Sequence, residues 1–598
     1  MNTEQGMLNI EWRYIGSFIQ RSTFLVRYSI FPLLCAICAL CGHSSVQAEE
    51  SLAVDARDID HFVATSIGVT AKGTPIPAWV YEDEYGLATK KMRILLVGDG
   101  TIAARNAIGR SVPDFYRNAN EDLRERYIIS AVANPYPDGP RGNTFNFPPQ
   151  GKAYAGDDDP EAAYLWRWIG MHAPDLVVTV AMGKSYDIGV PPSELPQLAA
   201  LAKEHRGTVF RDDDLAAQLV KAKPADVGSI PAVSLAVPSE GLIHDELLAA
   251  LDKAKFTGPS PARKEMQRRL DRTPLEVARQ LGKVYGKDLG SAAYIPAVAA
   301  MGQVRLAKLT DDAERHASVK QLAKPYISGD KPSNPTRDVA YAGHLIFAEL
   351  ADASAGNERE RYIALVRRAA DALLNDDGTP NLKKMSNSQM SDAVFMSGPI
   401  LARAGRLTGE AKYFDAAAAH AKNMAKLVLR SDGLYRHSPL DEAAWGRGNG
   451  FPAVGLAMIL SDLPQDHPQR DALLQLYQRH MGALAKHQDY TGAWHQVIDR
   501  EESYRELSCT CIITFAMVRG VQRGWLDRDK FQPVIKSAWQ AIRTRVAEDG
   551  TLVDVCTGTG KQKTLHAYFD RTAILGRDPR GGAMALLVAA ELANGRDF

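Results

Sequence analysis

The chain has 598 residues, 45% of them hydrophobic and 24% charged. One ordinary core does not reach that length, so two or more folded domains are expected. Lysine plus arginine and aspartate plus glutamate both total 71, which excludes a polybasic nucleic-acid surface but leaves room for a small anionic substrate gripped by one or two arginines.

In chain order, the stretch "RSTFLVRYSIFPLLCAICALCGHSSVQAEE" comes first. Basic residues up to Arg27 precede an apolar run, Tyr28 to Cys41, and small residues ending Val46-Gln47-Ala48. This order predicts a secretory signal over residues 1–48 with cleavage near Ala48, and hence a periplasmic or secreted protein. The alternative is an uncleaved anchor, although the run is short for a membrane span. Beyond the leader the cysteines are Cys509, Cys511 and Cys556. An odd number does not make a disulfide scaffold. Cys509 and Cys511, two apart on an apolar helix, point to different faces and read as core thiols rather than a metal pair. There is no CxxC past the leader and no HExxH anywhere, so neither metal nor cofactor is expected. A hydrolase, a lyase or a binding protein remains.

Residues 49–260 mix strands and helices. "MRILLVGDG", "RYIISAVANPYPDG" and "PDLVVTVAMG" are short apolar runs closed by turn residues, as buried strands are. "DPEAAYLWRWIGMHA" reads as a helix between them. The alternation predicts an α/β domain with a largely parallel sheet. "FTGPSPARKEMQRRLDR" breaks the pattern, which places the boundary near Gly258–Pro261.

Residues 261–598 are helical in texture. Phe414, Ala417, Ala421, Met424 and Val428 fall on one stripe, as do Leu473, Tyr477 and Leu484. About ten helices between Leu289 and Phe598, with no strict repeat, predict a closed ring of helical hairpins with functional loops at one end rather than a solenoid. "WGRGNGFP", Trp445–Pro452, stands out as a glycine-rich bend. Alone, it either turns a corner or walls a binding site.

"NPYPDGPRGNTFNFPPQGKAYAGDDDPEAAYLWRWIGMHAPDLVVTV" resembles the zinc carboxypeptidases. The matching pieces are Asn134-Pro135 with Asp138-Gly139, Asn146-Phe147-Pro148, Pro160-Glu161 and Pro174-Asp175-Leu176-Val177-Val178. That family binds zinc through a His-x-x-Glu after an early strand and a His after a later one. Here "TIAARN" follows the first strand and Ala181-Met182 the second, while the family's substrate-gripping Arg falls on Phe145. Zinc needs three protein ligands and an open position. The resemblance therefore implies a carboxypeptidase-like fold without its metal, with an unrelated α/β domain as the alternative.

The C-terminal motifs "QMSDAVFMSGPILARAG", "LYRHSPLDEAAWGRGNGFPAVGLAMIL", "GAWHQVIDREESYRELSCTCIITF", "DGTLVDVCTGTG" and "DPRGGAMALLVAAEL" each set a polar or glycine turn before an apolar helix. In this order they resemble glycoside hydrolase families 105 and 88, the unsaturated glycuronyl and rhamnogalacturonyl hydrolases. The resemblance implies an (α/α)6 barrel. It also implies a substrate oligosaccharide whose non-reducing end is a 4,5-unsaturated uronate left by a lyase. A carboxylic acid protonates C4, water adds at C5, and the hemiketal opens with loss of the aglycone. The two-carboxylate rule of ordinary glycosidases need not hold.

On that resemblance Asp392 is the catalytic acid/base; on residues alone Ser391-Asp392 reads rather as a helix N-cap. Its carboxyl is expected to be raised by burial or a second carboxylate. Asp338 is the nearest match to an assisting aspartate. His437 is a substrate contact, Trp445 a stacking wall and Arg447 the cation for the uronate. Trp494 is a further wall or a core residue. Asn449 and the glycines are structural. Met390 stands where the family often has Trp, and no His lies just upstream of Asp392. Other readings are a non-catalytic carbohydrate-binding protein and a metallocarboxypeptidase.

Overall fold

The structure, a computed structural model, describes residues 62–81, 87–139, 147–149, 159–205, 210–239 and 241–595. The leader and Asn146 lie outside the described residues. Seven strands form one sheet: β1 (Phe62–Val69), β2 (Pro75–Tyr81), β3 (Met92–Gly98), β4 (Tyr127–Val132), β5 (Leu176–Met182), β6 (Asp187–Gly189) and β7 (Ala232–Val237). Their order is β1-β2-β4-β3-β5-β7-β6. The pairs β3–β4, β3–β5 and β5–β7 are parallel, and the flanking pairs are antiparallel. Ile94, Leu95, Leu96, Val177 and Val178 are almost fully buried, as parallel strands covered on both faces require. Labelling the principal helices, α1 (Ile102–Asn118), α2 (Pro160–His172) and α3 (Ile243–Lys253) cover the sheet. β3 runs into Asp99-Gly100-Thr101, and the Thr101 hydroxyl accepts from Ala104 N to cap α1. Asp175 of the Pro-Asp-Leu strand start is buried. It accepts from the backbone N–H of Arg93 (3.0 Å) and of Ser260 (2.9 Å) and pairs with Arg263.

The rest of the chain builds two concentric rings. The helices are α4 (Pro261–Leu270), α5 (Pro274–Val284), α6 (Tyr294–Thr310), α7 (Ala313–Ser328), α8 (Asp338–Gly343) and α9 (Leu345–Asp352). They continue with α10 (Gly356–Asp371), α11 (Ala393–Thr408), α12 (Ala411–Val428), α13 (Gly446–Asp462), α14 (Arg470–Lys486) and α15 (Leu507–Gln522), then α16 (Arg528–Thr544), α17 (Leu565–Phe569) and α18 (Pro579–Asn594). Packing runs α6 to α8 and α9, to α11, to α13, to α15, to α18 and back to α6, which closes an inner ring. Between successive inner helices the chain passes through α7, α10, α12, α14 and α16, which pack outside, and α5 packs outside α6 and α18. This alternation is an (α/α)6 barrel. Inner helices are apolar all round because both faces are covered; Ala393 to Gly405 and Gly446 to Leu460 are continuously buried.

The C-terminal ends of the inner helices are closed by alternating charges. Arg305 pairs with Glu349 (2.6 Å) and Glu591 (2.9 Å), Arg403 with Asp462 (2.7 Å), and Arg519 with Glu591 (2.6 Å). The opposite end carries the loops, including the short strands β8 (Trp494–His495), β9 (Arg505–Glu506), β10 (Leu552–Cys556) and β11 (Ala573–Gly576).

Sheet and barrel belong to one compact unit that starts at His61. Arg505 donates to the Ser66 carbonyl (3.1 Å) and the Thr65 hydroxyl (2.9 Å). Arg167 on α2 lies 3.4 Å from the Asp554 carboxylate, and Arg269 on α4 bridges the carbonyls of Thr544 and Asp226. Among the described residues no helix is long and apolar enough to cross a membrane.

Two features differ from the sequence expectation. The rings hold more helices than about ten, because short pieces such as α8 and α9 divide one inner position. "WGRGNGFP" is not a bend: Gly446 opens α13 and Pro452 lies inside it. Glycine usually costs a helix about 1 kcal/mol against alanine, but here neighbouring helices come too close for a side chain. A Cβ on Gly450 would sit 2.5 Å from the Ile512 side chain of α15.

Candidate active site

The inner helices begin at one mouth of the barrel, and each brings a polar or aromatic residue there: Tyr294, Asp338, Asp392, Arg447, Ser508 and Asp578 with Arg580. Helix N-termini carry partial positive charge, so this end favours an anion.

Asp392 stands at the N-cap position of α11, yet its side chain accepts no capping hydrogen bond. The capping alternative therefore fails to account for the carboxylate. The turn before it is forced: Gln389 has φ 53°, a conformation that side-chain-bearing residues adopt at a cost. Ser391 N donates to the His437 carbonyl at 2.9 Å, which ties the two segments together. His437 is fully buried, and its Nε2 lies 3.2 Å from Asp392 Oδ2. The two atoms are close but not aligned, so neither has a hydrogen-bond partner in the protein; Ser391 Oγ and Trp445 Nε1 are likewise unpartnered. Buried polar atoms normally find partners, so such a cluster marks a place where a ligand's polar groups complete the bonding. Gly448 is the floor of this cluster. A Cβ there would stand 3.0 Å from Ser391 Oγ, 3.0 Å from Trp445 and 3.3 Å from the His437 ring.

The Asp338 carboxyl is raised above its ordinary range, chiefly by burial, with the Asp392 charge adding to it and the Ser388 hydrogen bond opposing it. The two aspartates thus sense each other across the mouth. The Tyr294 hydroxyl is also raised, first by burial, and it feels Arg447 and Asp392. Its ring packs edge-on to Phe451 at 5.7 Å, beside the stacked Phe395–Phe451 pair.

Asp392, His437, Trp445 and Arg447 come together, but two expected roles, those of Trp445 and Trp494, need correction. Trp445 is 1% exposed, with the His437 ring 4.4 Å away and the Arg447 guanidinium 4.8 Å from its ring. Neither face is open to a sugar, so Trp445 braces those two residues. Arg447 is 2% exposed and donates to the carbonyls of Cys556 (2.8 Å) and Thr557 (2.7 Å) and to Ser508 Oγ (3.0 Å). Three of its five N–H groups are spent on the protein, which fixes its charge at the mouth. Trp494 is a core residue, fully buried, with its indole N–H donated to the Leu484 carbonyl at 2.8 Å.

Other participants carried little sequence signal. Tyr568, on α17, places its hydroxyl 2.9 Å from His437 Nδ1 across 131 residues of sequence. Glu506 is fully buried at the start of α15; it accepts from the backbone N–H of Ser508, Cys509 and Cys556 and from the Ser508 hydroxyl. Only its position just before an apolar helix hinted at that capping role. The three described cysteines are free and buried, and among the described residues no group of three or more His, Cys, Asp or Glu could hold a metal ion.

Residues 263–594 match Glycosyl Hydrolase Family 88. An unsaturated 3S-rhamnoglycuronyl hydrolase of Alteromonas sp. (strain LOR) is 26% identical over 275 residues, 42% of this chain and 67% of the relative. One of the same description from Formosa agariphila is 30% identical over 177 residues, 27% of this chain and 47% of the relative. A solved family 105 glycoside hydrolase from C. acetobutylicum superposes with TM-score 0.46 at 20% identity, covering 53% of this chain and 98% of that one. The family match spans more than half of the chain and contains every residue of the mouth: the chain belongs to glycosyl hydrolase family 88 and is a glycoside hydrolase.

Proposed function

We propose that the enzyme removes a 4,5-unsaturated uronate from the non-reducing end of lyase-generated oligosaccharides by hydrating the enol ether. The observation that carries this reading is the buried, uncapped Asp392 carboxylate beside His437, coupled to a raised Asp338 at the positive ends of the inner helices. Asp392 delivers a proton to C4, and positive charge develops at C5 and the ring oxygen. Water adds to C5, with the Asp392 carboxylate taking the released proton. The hemiketal then opens, and the aglycone leaves from C1. Asp338, held towards its neutral form, lowers the repulsion that a uronate carboxylate meets on entry. Arg447 and the helix N-termini supply the opposite charge.

The N-terminal α/β domain reads as a carboxypeptidase-like domain without zinc, supported by the Asn-Pro turn and the Pro-Asp-Leu strand, that braces the barrel. The domains run 49–260 and 261–598, and the leader of residues 1–48 sends the protein to the periplasm or outside the cell. Isotope labelling tests the chemistry. In H2(18)O the label is expected at C5 of the released keto-sugar, and in D2O deuterium at C4. Label at C1, with C4 unlabelled, would mean direct glycosidic hydrolysis and would reject the scheme.

A further inference from the structure

His437 meets a polar group on each side, bonded at one and only close at the other. Its Nε2 faces Asp392 Oδ2 at 3.2 Å, and its Nδ1 faces the Tyr568 hydroxyl at 2.9 Å. A neutral imidazole carries one N–H, and which nitrogen bears it depends on what the other nitrogen meets. Tyr568 decides this through a second contact. Its oxygen accepts the backbone N–H of Gln562 at 3.3 Å. A phenol has a single hydrogen, and with the Gln562 N–H filling one acceptor position that hydrogen is free to point at Nδ1. Tyr568 is 1% exposed and packs edge-on against the imidazole at 5.7 Å, so the rotor has no water to turn to. Burial pushes the phenol up to about 12, with the charges of Asp441 and Asp392 adding, so it keeps its hydrogen at neutral pH.

We propose that Tyr568 is a positioning residue for the reaction: it donates to His437 Nδ1, fixes the Nε2–H tautomer, and thereby sets an N–H donor against the Asp392 carboxylate. The proposal rests on the reading of Asp392 as the acid/base. Once Asp392 has given its proton to C4, the new carboxylate stands 3.2 Å from Nε2–H, and a small turn of the carboxylate brings the two into line until the proton returns from water. Donation at Nδ1 polarises the ring and strengthens the N–H on its other side. The ionisable groups facing this pair are Asp338 from α8, Tyr294 from α6, Arg447 from α13 and Asp441 from the loop after His437. Tyr568→Phe changes none of them.

The segment that carries Tyr568 continues through Phe569 to Ala573, which share a cleft with Tyr164 and Arg167 of α2. The α/β domain thus packs behind the element that orients the histidine.

The direct test uses the full chain with 15N-labelled histidine, the His437 signal being identified by its loss in His437→Gln. Wild type is expected to show the Nε2–H tautomer alone at neutral pH, and Tyr568→Phe a mixture. An Nδ1–H tautomer in wild type, or an unchanged signal in Tyr568→Phe, overturns the proposal. This readout needs no substrate, so it stands apart from any failure of the hydrolase reading. Kinetically, Tyr568→Phe should lower kcat about tenfold and leave KM unchanged. A kcat equal to wild type, with only the unfolding temperature changed, would make Tyr568 merely structural.

Discussion

Gly448→Ala isolates the geometry of the mouth from the stability of the barrel. The added methyl meets Ser391 Oγ at 3.0 Å, Trp445 at 3.0 Å and the His437 ring at 3.3 Å, so those groups must yield by a few tenths of an ångström. Overpacking of this kind costs about 1–3 kcal/mol. Alanine in place of glycine within a helix returns about 0.8–1.0 kcal/mol. The net loss of stability is therefore about 0–2 kcal/mol. Activity should fall further than that suggests. A misplacement of 1 Å at a reacting group costs about a hundredfold, which scales to roughly five- to tenfold for the shift expected at His437. Gly482→Ala on α14 is the control, because a Cβ there meets nothing within 4 Å. It should stabilise by about 1 kcal/mol and leave activity unchanged. Denaturant unfolding and the loss of enol-ether absorbance read the two quantities. If Gly448→Ala behaves like Gly482→Ala, the cluster around Asp392 is not where the chemistry occurs.

Asp338→Asn removes a carboxyl that the fold raises. Such a group adds stability while protonated and loses it as pH rises through its folded value, so the variant should gain stability over wild type at pH 7 and match it in acid, while losing activity. Unfolding curves at pH 7 and pH 3 decide it. Burial alone would raise Glu349, but Arg305 and Arg403 outweigh burial and hold it at about 2. Its contribution is present above the unfolded value near 4.5 and is lost as pH falls towards 2. Glu349→Gln should therefore destabilise by about 3–5 kcal/mol at pH 7, with the gap narrowing steadily below pH 4. An equal gap at every pH would mean the charge ring does not act through Glu349. Arg505→Ala leaves the buried Asp489 without its 2.8 Å partner and cuts both bonds to β1, so a loss of about 3–5 kcal/mol is expected in urea unfolding; a loss below 1 kcal/mol would show that the sheet does not depend on this joint.

The barrel was legible because its inner helices alternate with outer ones and each opens on a polar turn. Runs such as Ala393–Gly405 announce burial on all sides. The parallel strands β3, β4 and β5 were legible for a similar reason, as apolar runs ended by turn residues. Strands β1, β2, β6 and β7 escaped: β6 has only three residues, and polar residues or prolines interrupt the apolar pattern of the other three. Around the site, local motifs located Asp392, His437 and Arg447, but motifs do not say which way a side chain turns. Trp445 and Arg447 occupy one another and the protein, and Trp494 donates inward, facts set by packing between distant helices. The glycines of "WGRGNGFP" looked like a bend because glycine usually makes one; here they serve close helix contact. Tyr568 lay beyond local reach because only folding brings it 131 residues back to His437.

The central claim is that Asp392 is the acid/base of an enol-ether hydration. The most direct measurement follows the absorbance of a lyase-generated unsaturated disaccharide with wild type and Asp392→Asn, both checked for native unfolding. Wild type should abolish the absorbance, and Asp392→Asn, which keeps the shape but cannot cycle a proton, should slow it by at least about a hundredfold. Equal rates in the two proteins, or an inert wild type across unsaturated glucuronides and galacturonides, would contradict the account.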